Sequence, residues 1–106
     1  MKLDINETLA GMLAAIKTSV GNDWPQVKSA MNDFLQSRKA RLELLADFRI
    51  NGIITGDEFN SRMEDEKLLL KSELHVIAII SKSMAQKAAN AAMDVLEQAV
   101  KALVPF

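Results

Sequence analysis

The chain has 106 residues, 49% of them hydrophobic and 25% charged, with a formal net charge of -1, the balance of one globular domain and not of a disordered tail. So little net charge supplies no long-range pull toward nucleic acid or an anionic membrane. The complete lack of Cys removes disulfides, thiolate metal sites and cysteine nucleophiles, and fits a reducing compartment, so a cytoplasmic location is expected. The start, Met1-Lys2-Leu3-Asp4, lacks the basic and apolar regions of a signal peptide. The richest apolar run, Leu68 to Ile80, is interrupted by Lys71, Glu73 and His75 and is too short to cross a bilayer, so no integral membrane insertion is expected. Asn6-Glu7-Thr8 matches a glycosylation sequon that would stay unused without secretion.

Taken in chain order, the first element is a helix over about 4–20, opened by Asp4 with Glu7 three residues on. It ends at Gly21-Asn22-Asp23-Trp24-Pro25, where Gly21 suits a left-handed cap, Asp23 is the expected N-cap of the next helix and Pro25 sits in its first turn. The second helix spans about 24–50. Asn51-Gly52 ends it, and Thr55 with Glu58 forms a capping box for the third, with Ile54 and Phe59 at the two hydrophobic-staple positions.

From Asp57 to Val104 there is no Gly and no Pro, and apolar residues recur at helical spacing: Phe59, Met63, Leu70, Leu74, Ile77, then Met84, Ala88, Ala92, Val95, Ala99 and Leu103. That pattern predicts one helix over about 56–104, roughly 70 Å long. The fold class expected is therefore all-α: a long antiparallel helical hairpin with one arm broken at Gly21 to Pro25, dimerising into a bundle to cover its apolar stripe. If Phe48 faces Phe59 across the turn, Leu45 falls near Met63, and Ala14 and Ala15 near Ala92 and Met93. Small residues at Gly11, Ala14 and Ala15 against Ala85, Ala88 and Ala92 would let those backbones approach closely. The alternative is a monomeric up-down-up-down four-helix bundle with a break near Ser81-Lys82-Ser83. Against it stands the absence of turn chemistry in that stretch.

Asp47 to Glu58 resembles the calcium loop of an EF-hand, with Asp47, Asn51, Gly52, Ile54, Thr55 and Glu58 at matching positions, but Arg49 stands where that family places an oxygen ligand. Leu44 to Leu70, with its Gly52, Ile54, Thr55, Glu58 and Phe59 pattern, resembles the short helical hairpin module called SHOCT. That resemblance implies oligomerisation or partner binding without catalysis. His75, the single histidine, has no Cys, no His-Glu-x-x-His spacing and no Glu three residues before it, so neither a metal nor a catalytic role is expected. Glu64, Asp65 and Glu66 with Lys67 and Lys71 read as a charged face, and the turn register places Arg41 near Glu66 or Asp65. Met31, Met63, Met84 and Met93 fall on apolar stripes as core filling.

These readings predict a non-catalytic helical interaction or assembly protein that self-associates, with no cofactor, metal or catalytic residue. Its interface would draw on Trp24, Met63, Leu74, Ile77, Met84, Ala88 and Ala92. A second reading is an adaptor, inhibitor or immunity-type module presenting a helical groove to a partner protein. An amphipathic lipid-surface protein or a degenerate EF-hand-like calcium binder is the remoter reading.

Overall fold

The computed structural model of the chain describes residues 3–77 and 80–105. It is all-α among those residues: α1 (Ile5–Val20), a single 3-10 turn (Gly21–Asp23), α2 (Trp24–Ile50), α3 (Gly56–His75) and α4 (Lys82–Lys101). The expected continuous helix from 56 to 104 is therefore two helices, and the up-down-up-down bundle is the layout observed. One helix of that length would exceed the longest dimension of the molecule, 42 Å, by more than half. Among the described residues of the junction, Ser81 opens α4. Its backbone is extended (φ -70, ψ 160) and its hydroxyl accepts from the Met84 N–H, so it is a regular N-cap for α4. The alternative break near Ser81-Lys82-Ser83 thus coincides with the start of α4; Ala78 and Ile79, within the same junction, lie outside the described residues.

The other boundaries follow the local chemistry, with one exception. Asp4 caps α1 by accepting from the Glu7 N–H at 3.1 Å. At the end of α2, Gly52 takes a positive φ of 74° and the Ile53 N–H reaches back to the Phe48 carbonyl at 2.8 Å. The capping box at α3 is complete: the Glu58 N–H donates to Thr55 Oγ1 and the Thr55 N–H donates to Glu58 Oε1. Ile54 and Phe59 are both buried, as a staple requires. The exception is Asp23, which makes no capping hydrogen bond. Its backbone is already helical (φ -83, ψ -4), because the 3-10 turn runs straight into α2, whereas an N-cap needs an extended backbone to aim its side chain at the first-turn N–H groups. Gly21 carries a positive φ of 59°, but its ψ of -123° lies outside the left-handed helical region expected of it.

The helices form a ring in which α1 neighbours α2 and α4, and α3 completes the square between α2 and α4. α1 and α4 lie closest. A Cβ on Gly11 would stand 3.0 Å from Val95 Cγ1, and Ala85, Ala88, Ala89 and Ala92 are buried. The antiparallel register expected from the turn survives the break, since Gly11 lies three residues before Ala14 and Val95 three after Ala92. Ala14 itself, however, points to solvent. Met12, Leu35, Leu70 and Met93, one from each helix, line a common layer of the core, and the methionines serve as filling: Met31, Met63 and Met93 are buried and Met84 half-buried.

Core-facing positions of α2 follow a four-three spacing through Met31, Leu35, Leu42 and Leu45, and Arg38 falls on the same stripe. On α3, Glu66 takes the matching core position between Met63 and Leu70 and is only 5% exposed. Arg38 Nε donates to Glu66 Oε2 at 3.0 Å and Nη2 to Oε1 at 2.5 Å, and Arg41 Nε lies 3.6 Å from Oε1. Glu66 thus leaves the charged face assigned to it and becomes a buried, doubly paired carboxylate. Arg41 does meet it, but Arg38 is the closer partner.

Candidate functional site

With the stripes of all four helices turned inward, most residues expected at an interface are spent on the chain's own core. Met63, Leu74, Ala88 and Ala92 are fully buried, and Ile77 and Met84 are half-buried. Trp24 is half-buried between α1 and α2, where it walls a shallow cleft of about 350 Å³ with Leu13, Pro25 and Lys28. It is not the freely projecting anchor that an interface role would use.

What remains outside is a different set. Leu68 and Leu69 sit side by side on α3, 58% and 45% exposed, off the stripe that carries Met63, Glu66, Leu70 and Leu74. Val76, seven residues beyond Leu69 and so on the same side of the helix, is 78% exposed, and Leu44 on neighbouring α2 is 46% exposed. Around the leucines stand Glu64, Asp65 and Ser72, all solvent-facing. With Lys71 also three residues beyond Leu68, the pair is a small apolar spot in a polar surround of both signs. The signal was present in the sequence as two leucines that fit no inward stripe.

A second candidate lies at the end of the bundle where α2 finishes and α3 begins. A cleft of about 340 Å³ is walled by Arg49, Asn60, Glu97 and Lys101 over Phe59 and Val104. The Arg49 guanidinium lies against Gly56, where a Cβ would stand in ordinary contact with it, 3.4 Å from Nη2. Burial raises the Glu97 carboxyl above its ordinary value, opposed by the Lys67 charge and reinforced by Asp94 and Glu64. Mixed charge and an open mouth give this cleft no single ligand chemistry.

Metal-binding geometry does not assemble at the EF-hand-like stretch. Asp47 to Ile50 remain in α2, with the Asp47 carbonyl accepting from the Asn51 N–H at 2.9 Å, and the Glu58 carboxylate is folded back onto Thr55. That contact with the Thr55 N–H and hydroxyl holds the Glu58 carboxyl below its ordinary value. Among the described residues no group of three or more His, Cys, Asp or Glu side chains could hold a metal ion, and no helix is long and apolar enough to cross a membrane. His75 is exposed at the end of α3.

In class, then, the described residues form an all-α four-helix bundle with two exposed leucines on the outer side of α3. Comparison with protein-family models, curated proteins and solved structures finds no match. The resemblance of the α2–α3 turn to the SHOCT module therefore rests on the local motif alone.

Proposed function

We propose that this is a non-catalytic, cofactor-free interaction and assembly protein of the cytoplasm, which engages the helix of a partner protein with the outer face of α3. The observation that carries this reading is the adjacent exposed pair Leu68 and Leu69 on α3, with Val76 exposed just past the end of that helix and Leu44 exposed on α2. The pair lies off the inward stripe that fills the core, and two neighbouring leucines supply the apolar anchor that a helical partner needs. Self-association belongs to the same reading, now through surface and not through the inward stripes.

Site-specific photocrosslinking in cells tests it. A photoreactive residue at Leu68 or Leu69 should give discrete adducts, whereas the same group at Thr18, exposed on α1, should give none. An adduct of twice the chain mass identifies a second copy as the partner. Equal labelling from all three positions, or none from any, removes the proposal.

A further inference from the structure

The chain carries Asn6, Asn22, Asn32, Asn51, Asn60 and Asn90, and the fold treats one of them differently. Asn32, Asn60 and Asn90 lie inside α2, α3 and α4, where the N–H of the following residue is held by the helix ladder. Asn6 precedes Glu7, whose N–H is taken by Asp4 Oδ1. Asn22 precedes Asp23, whose carboxylate repels negative charge on the nitrogen beside it. Asn51 alone is followed by glycine. It closes α2 at the turn that leads to α3, and both Asn51 and Gly52 face solvent.

We infer that Asn51-Gly52 is a self-modifying site. The Gly52 backbone nitrogen, on losing its proton to base, attacks Asn51 Cγ. The new N–C bond closes a five-membered succinimide, and the side-chain nitrogen leaves as ammonia. Water then opens the ring at either carbonyl, giving aspartate or isoaspartate, so the net change is the replacement of NH2 by OH. Water is the only co-reactant, and the exposure of both residues admits it. Two features of the turn permit the attack. Gly52 has no Cβ to obstruct the approach. Its N–H is spent on the Arg49 carbonyl at 3.2 Å, the long limit of such bonds, so little is lost when the peptide rotates. That rotation is needed, because Asn51 sits at ψ 4°, which directs the Gly52 nitrogen away from the side chain. The reaction therefore runs through local opening of the turn, slower than in an unfolded peptide and faster than at the helical asparagines.

The products do not fit the turn as asparagine does. A carboxylate at position 51 meets the negative end of α2 and stands four residues from Asp47. Isoaspartate is worse, because the main chain then passes through the former side chain and gains one carbon between Ile50 and Gly52. The bond from the Ile53 N–H to the Phe48 carbonyl at 2.8 Å closes that turn, and Ile54 and Phe59 are buried just beyond it. The extra carbon thus loosens the corner between α2 and α3. This chemistry is independent of the partner reading of the α3 face.

The test compares two asparagines in one peptide. Trypsin, cutting after Arg49 and Arg62, releases residues 50–62 with both Asn51 and Asn60. After incubation of the folded protein in mildly alkaline buffer, mass spectrometry against an unincubated sample should find NH2 replaced by OH at Asn51 roughly tenfold or more above Asn60. An isoaspartate-specific carboxyl methyltransferase should label the wild type and not Asn51→Gln, whose longer arm would have to close a six-membered ring. The isoaspartate form, separated by anion exchange, should melt below the unmodified protein, with Asn51→Asp between them. An Asn51 that stays intact while the synthetic 50–62 peptide deamidates overturns the inference. Equal change at Asn51 and Asn60, or equal labelling of Asn51→Gln, overturns it as well. A product without isoaspartate, or one that melts with the unmodified chain, overturns the loosening of the corner.

Discussion

The α1–α4 and α2–α3 pairs solve the same packing problem with opposite side chains. α1 and α4 meet through Gly11 and buried alanines, so the backbones come close and the contact is short-range and steric. Along α2 and α3 the apolar contact is interrupted by Glu66, bound by Arg38 and approached by Arg41. One pair tolerates no added atoms; the other tolerates no unmatched charge. Stability is concentrated in the first kind of contact, because a desolvated ion pair returns little net free energy even when its geometry is good.

The largest effect should come from opening a void where α4 meets the rest of the core. Leu96→Ala, at a fully buried site, is expected to cost about 3 kcal/mol and lower the melting temperature by roughly 15 °C. Gly11→Val should cost about 2 kcal/mol by forcing α1 from α4. Combining it with Val95→Ala should recover part of that loss, and a strictly additive double mutant would show that the two residues do not touch in solution. In the other pair, Glu66→Gln should cost about 1–2 kcal/mol in urea unfolding, because Arg38 is part-exposed and can turn to water. Exchanging Arg38 and Glu66 together for Met and Leu should be neutral or stabilising, and a large loss would assign the pair a share of stability denied to it above. Thr55→Ala should cost about 1 kcal/mol.

The smallest expected effect is a pH dependence of opposite sign at two exposed or half-exposed carboxyls. Glu97, raised chiefly by burial, is better accommodated protonated, so its contribution favours the fold below the ordinary value of 4.5 and is lost as pH rises through its raised value. Glu97→Gln should therefore stabilise slightly at neutral pH. Glu58, lowered by its Thr55 contacts, contributes above 4.5 and loses that contribution as pH falls through its lowered value. Glu58→Gln should flatten the acid limb of the stability curve, and an unchanged limb would remove Glu58 as its source.

The all-α class, the starts of α1 and α3, the end of α2 and the pairing register were legible because each depends on a few neighbouring residues or on a regular period. Asp4, Gly52, Thr55 and Glu58 act within one turn of themselves. The break after His75 was not legible from turn chemistry, since it uses no glycine or proline and serves a tertiary purpose: it lets α4 close on α1 within the same chain. Asp23 failed as a cap for a geometric reason invisible in its identity, the helical backbone imposed by the preceding 3-10 turn. The candidate face at Leu68 and Leu69 could have been found by asking which leucines the inward stripe leaves out. Arg38 and Glu66 likewise occupy core-spaced positions, and two opposite charges on two inward stripes are a readable sign of pairing.

That ion pair also has a consequence for how the chain avoids error while folding. Slide α3 along α2 by seven residues and leucines still meet leucines, so the hydrophobic effect alone barely separates the right alignment from the wrong one. In the slipped state Glu66 would lie against Leu45, having lost its bidentate bond to Arg38 and keeping at most Arg41, one turn away, as a partner. A single buried pair of modest net worth to the native state thus rejects its nearest competitors, and the ordering of the helices is decided by what the misaligned chain would have to bury.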